Sequence, residues 1–184
     1  MNKKILLIIA VVASAALTAH ANLVLNPGFE TGDFTGWTQF GDTSFTAVDT
    51  SSPGGIPPHS GSFLAYFGPF TDGGIQQTLT GPAGPYSVDF WLAADGGDGG
   101  DYINVTLGGV TIYTQDGSGS FGFTHITETA TVGANPVLAF HFVNVPSYWD
   151  LDDVNAVVVP EPGTLGLIGL GALGLVAALR KRLV

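Results

Sequence analysis

Between Asn22 and Val159 the chain contains no lysine and no arginine, and it has no cysteine anywhere. Its five basic side chains are Lys3, Lys4, Arg180, Lys181 and Arg182, whereas of the 15 acidic residues only Glu161 lies outside that interval, leaving 14 carboxylates within it. No fold of this stretch can use a Lys or Arg ion pair. Each carboxylate must be solvated, capped by a backbone N–H or a hydroxyl, or bound to a cation, and a bound metal would relieve the mutual repulsion. Nucleic-acid binding is excluded, because nothing can neutralise phosphates. Lysine Schiff bases, arginine clamps, thiolate metal sites and cysteine nucleophiles are excluded by the same inventory. The 138 residues from 22 to 159 suffice for one domain, held by its core without disulfides.

That interval reads as all-β. Short segments rich in Val, Ile, Phe, Tyr and Thr alternate with turns of Gly, Pro, Asp and Ser. The expected strands are Asn22–Leu25, Ser44–Asp49, Ser62–Phe67, Gly74–Leu79, Tyr86–Ala93, Tyr102–Leu107, Val110–Thr114, Thr124–Thr131, Val137–Val143 and Leu151–Val159. Tyr86, Val88, Phe90 and Leu92 share one face of their strand, with Ser87, Asp89 and Trp91 opposite. Leu138, Phe140 and Phe142 repeat the pattern, with His141 opposite. Leu107-Gly108-Gly109-Val110 is a hairpin with a two-glycine loop. Many short strands without helical periodicity predict a β-sandwich, most simply a jelly roll.

The two ends carry addresses. Lys3 and Lys4, the apolar run Ile5–Leu17 and Ala19-His20-Ala21 have the form of a secretory signal peptide over residues 1–21. At the other end stands Pro160-Glu161-Pro162, then 16 uncharged residues from Thr164 to Leu179, then Arg180-Lys181-Arg182. Such a helix spans about 24 Å, slightly short for a bilayer, with Arg180 and Arg182 snorkelling. A plain C-terminal membrane anchor is one reading. This order of motif, apolar helix and basic stop also resembles the PEP-CTERM sorting signal, which exosortases recognise. The resemblance implies an exported protein, held transiently in the inner membrane by its tail, cut near Pro160-Glu161-Pro162 and passed to the cell surface or extracellular matrix. The expected layout is therefore a signal peptide (1–21), a β-sandwich (22–157) and a sorting signal (158–184).

Within the sandwich, Asn22-Leu23-Val24-Leu25-Asn26-Pro27-Gly28-Phe29-Glu30 and Gly32-Asp33-Phe34-Thr35-Gly36-Trp37 resemble the opening of galactose-binding-like jelly rolls and related carbohydrate-binding modules. Ile75-Gln76-Gln77-Thr78-Leu79, Tyr86-Ser87-Val88-Asp89-Phe90-Trp91 and Leu151-Asp152-Asp153-Val154 continue the likeness. Such modules often hold a structural Ca²⁺ where first and last strands meet. The resemblance thereby implies Glu30 and Asp152 as ligands, with Asp153 a further candidate, and hard carboxylate oxygens suit Ca²⁺. Simple solvation or backbone capping of the same carboxylates is the competing reading. Asp95, Asp98 and Asp101 form a second acidic loop, without the spacing of a known calcium motif.

A sugar site requires an aromatic face and polar neighbours. Trp91, on the polar side of its strand, is the leading platform, with Tyr102 and His141 behind it and Tyr113 and Tyr148 weaker. Trp37 and Trp149 read as core. His59, His125 and His141 lack a nucleophile elbow and are too far apart for a zinc motif, so no enzyme is expected. The function expected is binding or organising of exopolysaccharide by a biofilm-type surface protein. The rival is a structural or adhesive protein that binds no sugar and acts through calcium bridging.

Overall fold

The computed structural model describes residues 21–97, 99–117, 119–160, 169–175 and 179. Asn22–Val158 form one compact unit. It contains ten strands: β1 Thr38–Gly41, β2 Thr46–Asp49, β3 Leu64–Phe67, β4 Gly73–Thr78, β5 Gly84–Ala94, β6 Tyr102–Leu107, β7 Val110–Asp116, β8 Phe121–Val132, β9 Val137–Val143 and β10 Trp149–Val158. They make two five-stranded antiparallel sheets, ordered β1-β4-β9-β6-β7 and β2-β3-β10-β5-β8. Sequence neighbours repeatedly fall in opposite sheets, which gives the crossing connections of a jelly roll.

The alternation expected of β5 and β9 is present. Tyr86, Val88, Phe90, Leu92, Leu138, Phe140 and Phe142 are all fully buried. Phe67 of β3 stacks on Phe142 of β9 with ring centroids 4.1 Å apart, and Phe90 of β5 meets Phe140 of β9 edge-on at 5.2 Å. These pairs join the two sheets. Trp37 and Trp149 are core residues, and each indole N–H finds a carbonyl, that of Asn26 and of Val143 respectively. The β6–β7 hairpin pairs Leu107 with Val110, and its two glycines take φ of 57° and 81°, a turn that β-carbon-bearing residues resist.

Two expectations about strands fail. Residues 22–25 form no strand. Leu23 donates to the Ala156 carbonyl, but Leu25 N–H goes to the side chain of buried Gln77, and Asn26 turns away at φ 50°. Conversely β1, with Phe40 as its one large apolar residue, carries too little pattern to read from sequence, yet pairs with β4 over four positions.

The carboxylates are handled mainly by backbone capping, as the lack of cations requires. Asp42 accepts from the backbone and hydroxyl of Ser44 and from the N–H groups of Phe70 and Thr71, with the Ser44 hydroxyl foremost in lowering its pKa to about 2. Asp95 accepts from Ser52 and Gly54, and Asp101 from Val145 N–H. Asp95 and Asp101 thus serve different loops, and Asp98 lies outside the described residues. Asp150 is the exception: it is fully buried, and among the described residues neither carboxylate oxygen has a hydrogen-bond partner. Burial, with Asp95 nearby, pushes its pKa up to about 8.

In the tail, residues 169–175 are helical and Leu170, Leu173 and Leu175 are exposed. Among the described residues no helix is long and apolar enough to cross a membrane. The signal-peptide residues 1–20 and the sorting-signal residues Glu161, Pro162, Arg180, Lys181 and Arg182 lie outside the described residues; Pro160 lies within them.

Candidate functional site

Strand register lines up one row of residues across the whole outer face of the β1-β4-β9-β6-β7 sheet. Phe40, Gly74, His141, Asn104 and Thr114 stand opposite one another in turn. Gly74 has no side chain, and a β-carbon there would strike the carbonyl oxygen of Phe140. The rings of Phe40 and His141 meet with centroids 4.7 Å apart and planes inclined by 61°. Tyr102 stands further along the same face, opposite Asp116 and Val143.

Asp72, immediately before β4, ties this face together. Its Oδ1 accepts from the Tyr102 hydroxyl at 2.8 Å and lies 3.2 Å from His141 Nδ1. Burial, helped by the bond to Asp72, pushes the Tyr102 phenol up to about 12, so it stays a hydrogen-bond donor at any physiological pH. Asp72, Tyr102, Asn104, Thr114, Asp116 and His141 line an open groove of about 420 Å³, room for a small ligand. The surface offers hydroxyl, amide, carboxylate and imidazole groups beside an aromatic ring.

Trp91 does not join Tyr102 and His141. It lies on the outer face of the other sheet, between Asp152 of β10 and His125 of β8 in register. His59, from the loop between β2 and β3, stacks on the indole at 3.6 Å and 16°, and His125 stacks at 4.8 Å and 15°. An imidazole from the loop and another from β8 thus stack with the ring that the sequence offered as an open sugar platform. Both imidazoles are themselves anchored, His59 Nδ1 to Asp153 at 2.7 Å and His125 Nε2 to Asp89 at 3.1 Å. Only strand pairing reveals this stack, since His59, Trp91 and His125 are far apart in the chain.

Glu30, Asp152 and Asp153 all cap the 59–63 segment. An irregularity in β10 between Asp152 and Asn155, with Asp153 at φ 47°, turns the adjacent carboxylates toward the 59–63 segment. Asp152 accepts from the N–H groups of His59 and Ser60, Asp153 from the Ser60 hydroxyl, and Glu30 from the N–H groups of Ser62 and Phe63. Gly28 lies beside the Asp152 and Asp153 carboxylates, whereas the Glu30 carboxylate lies against Gly61. A β-carbon on Gly28 would stand 3.2 Å from Asp153 Oδ1, 3.4 Å from Asp152 Oδ1 and 3.7 Å from Glu30 Cγ. Burial drives Asp152 up to about 6, with Asp153 adding to the shift and the backbone N–H bonds opposing it. The donors are hard oxygens of the type Ca²⁺ takes, although several are already bonded to N–H groups. Among the described residues no group of three or more His, Cys, Asp or Glu is placed to hold a metal ion.

Residues 158–182 match the PEP-CTERM protein-sorting motif, which implies export and processing by an exosortase. No curated protein matches the chain by sequence. Among solved structures, TmCBM61 in complex with beta-1,4-galactotriose is similar at TM-score 0.61 and 22% identity, over 76% of this chain and 99% of that one. Family 16 Carbohydrate Binding Module-2 is similar at TM-score 0.56 and 12% identity, over 74% and 99% respectively. The CBM22-1 xylan-binding domain of Paenibacillus barcinonensis Xyn10C is similar at 0.53 and 14%, over 79% and 99%. The chain is a protein bearing the PEP-CTERM sorting motif, and its body is a jelly-roll β-sandwich of the form found in carbohydrate-binding modules.

Proposed function

We propose that this exported protein binds extracellular polysaccharide through the groove on the β1-β4-β9-β6-β7 sheet, and that its sorting signal delivers it to the surface or matrix where such polymers lie. The observation that carries this reading is Asp72 holding the Tyr102 hydroxyl and the His141 imidazole together on an open, polar groove. Sugar hydroxyls pair with such groups, and the Phe40–His141 edge supplies apolar contact for a pyranose face. The neighbours' printed ligands, a galactotriose and a xylan, support a carbohydrate as the class of ligand.

The test is retention of the purified chain on a panel of immobilised neutral polysaccharides. Tyr102→Phe and His141→Ala should each lose roughly tenfold in affinity, about one charge-assisted or paired hydrogen bond, with melting temperature little changed. Binding untouched by both substitutions overturns the groove.

A structural Ca²⁺ held by Glu30, Asp152 and Asp153 is the second part of the reading. The supporting observation is Asp152, buried beside Asp153 with no Lys or Arg available to offset them. Calcium bridging without any sugar site is the rival function; it expects association with polyanions that chelator abolishes and that ignores Tyr102 and His141.

A further inference from the structure

Every ionisable side chain lining the groove is acidic, phenolic or imidazole: Asp72, Asp116, Tyr102 and His141. No lysine or arginine exists anywhere from 22 to 159 to shift that balance. Sugars bearing carboxylate or sulfate would bring like charge against two carboxylates, a cost of desolvation and repulsion with no compensating pair. A neutral sugar would meet hydroxyl and amide partners but bring no charge to Asp116, whereas Asp72 already faces the Tyr102 hydroxyl and the His141 imidazole.

Asp72 and Asp116 sit at different points around Tyr102. Asp72 takes its hydroxyl, and Asp116 pairs with it across the β6–β7 ladder. Asp72 Oδ1 is shared by Tyr102 and His141, while Asp116 stands at the solvent-facing end of β7. Two carboxylates spaced along one groove, backed by Asn104 and Thr114, suit an extended polymer presenting ammonium groups at intervals. Ammonium–carboxylate hydrogen bonds are shorter and stronger than neutral ones.

We propose that the groove takes a glycan of amino sugars with free, protonated amines, the ammonium groups resting on Asp116 and Asp72 while Tyr102, Asn104 and Thr114 hold the hydroxyls. This rests on the groove being the carbohydrate site. It adds the chemical class of ligand, and it assigns Asp116 as the residue that discriminates for charge.

The experiment is calorimetric titration of the full chain, in non-ionic detergent at physiological salt, with three probes of equal length: β-1,4-linked glucosamine tetramer, its fully N-acetylated counterpart, and a galacturonate tetramer. The glucosamine tetramer should bind about tenfold tighter than the acetylated one, and the galacturonate should not bind. Asp116→Asn should erase the tenfold preference. Glu128→Gln, the same charge change on β8 of the other sheet, should preserve it. Equal or tighter binding of the acetylated tetramer overturns the amine inference and leaves the carbohydrate reading standing. No binding of any probe or of the neutral polysaccharides overturns both. A preference lost equally in Asp116→Asn and Glu128→Gln assigns it to the net charge of the domain and also overturns the inference.

Discussion

His59 lies flat on Trp91, the two rings 3.6 Å apart and inclined by only 16°. This one contact staples the β2–β3 loop to the sheet beneath it and places the His59 and Ser60 N–H groups on Asp152. Trp91 therefore contributes to the stability of this loop. Trp91→Ala should cost about 2 kcal/mol, a lower melting midpoint in thermal denaturation, while the folded fraction keeps its affinity for polysaccharide. Loss of binding with unchanged stability would return the sugar site to the opposite sheet.

Calcium should raise the melting temperature through the Glu30, Asp152 and Asp153 carboxylates. Binding to the native state alone stabilises by about 2.7 kcal/mol at a hundredfold excess over Kd, several degrees for a domain of this size. Glu30→Gln or Asp152→Asn should abolish the shift in scanning calorimetry. No shift in the parent chain removes the calcium reading.

In chelator, stability should depend on pH in two opposed ways. Asp150 and Asp152 have folded pKa values of about 8 and about 6, above their ordinary 3.8. Between those limits the native state binds more protons than the unfolded one, so stability falls as pH rises. Asp42, held near 2, does the reverse: its contribution is present above about 3.8 and lost as pH falls toward 2. Melting temperature should climb as pH drops from 9 to about 5, then decline below about 4. Asp150→Asn should flatten the limb above pH 6, measured by thermal melts across buffers.

Gly74→Val should be among the most damaging surface-strand substitutions. Its β-carbon would collide with the Phe140 carbonyl oxygen at the β4–β9 ladder. Overpacking of this type costs about 1–3 kcal/mol, and the displaced row would also part Phe40 from His141. Denaturant unfolding and polysaccharide retention should therefore fail together, whereas Gly109→Ala, with open space at the hairpin tip but φ 81°, should cost only stability.

Much of the sandwich was legible because burial on one face imposes a two-residue period, and β5 and β6 display it over six or more residues. β1 was not, since a four-residue edge strand with one aromatic carries almost no period. Residues 22–25 misled for the opposite reason. Their apolar run packs beside β10, but Gln77 takes the Leu25 amide that a ladder would have used.

The candidate sites divide along the same line. Residue inventory by itself determined that 14 carboxylates between 22 and 159 would have neither Lys nor Arg to meet, and hence that N–H groups, hydroxyls, histidines or cations must meet them. It also determined the sorting motif, whose information is linear. Tertiary structure alone decided which face each aromatic joins. Tyr102 and His141 share a groove through Asp72, 30 and 69 residues away, while Trp91 stacks with His59 and His125 on the opposite sheet. Alternation tells which side of its own strand a residue occupies, but strand order, set by long-range pairing and the burial it permits, determines which side chains become neighbours.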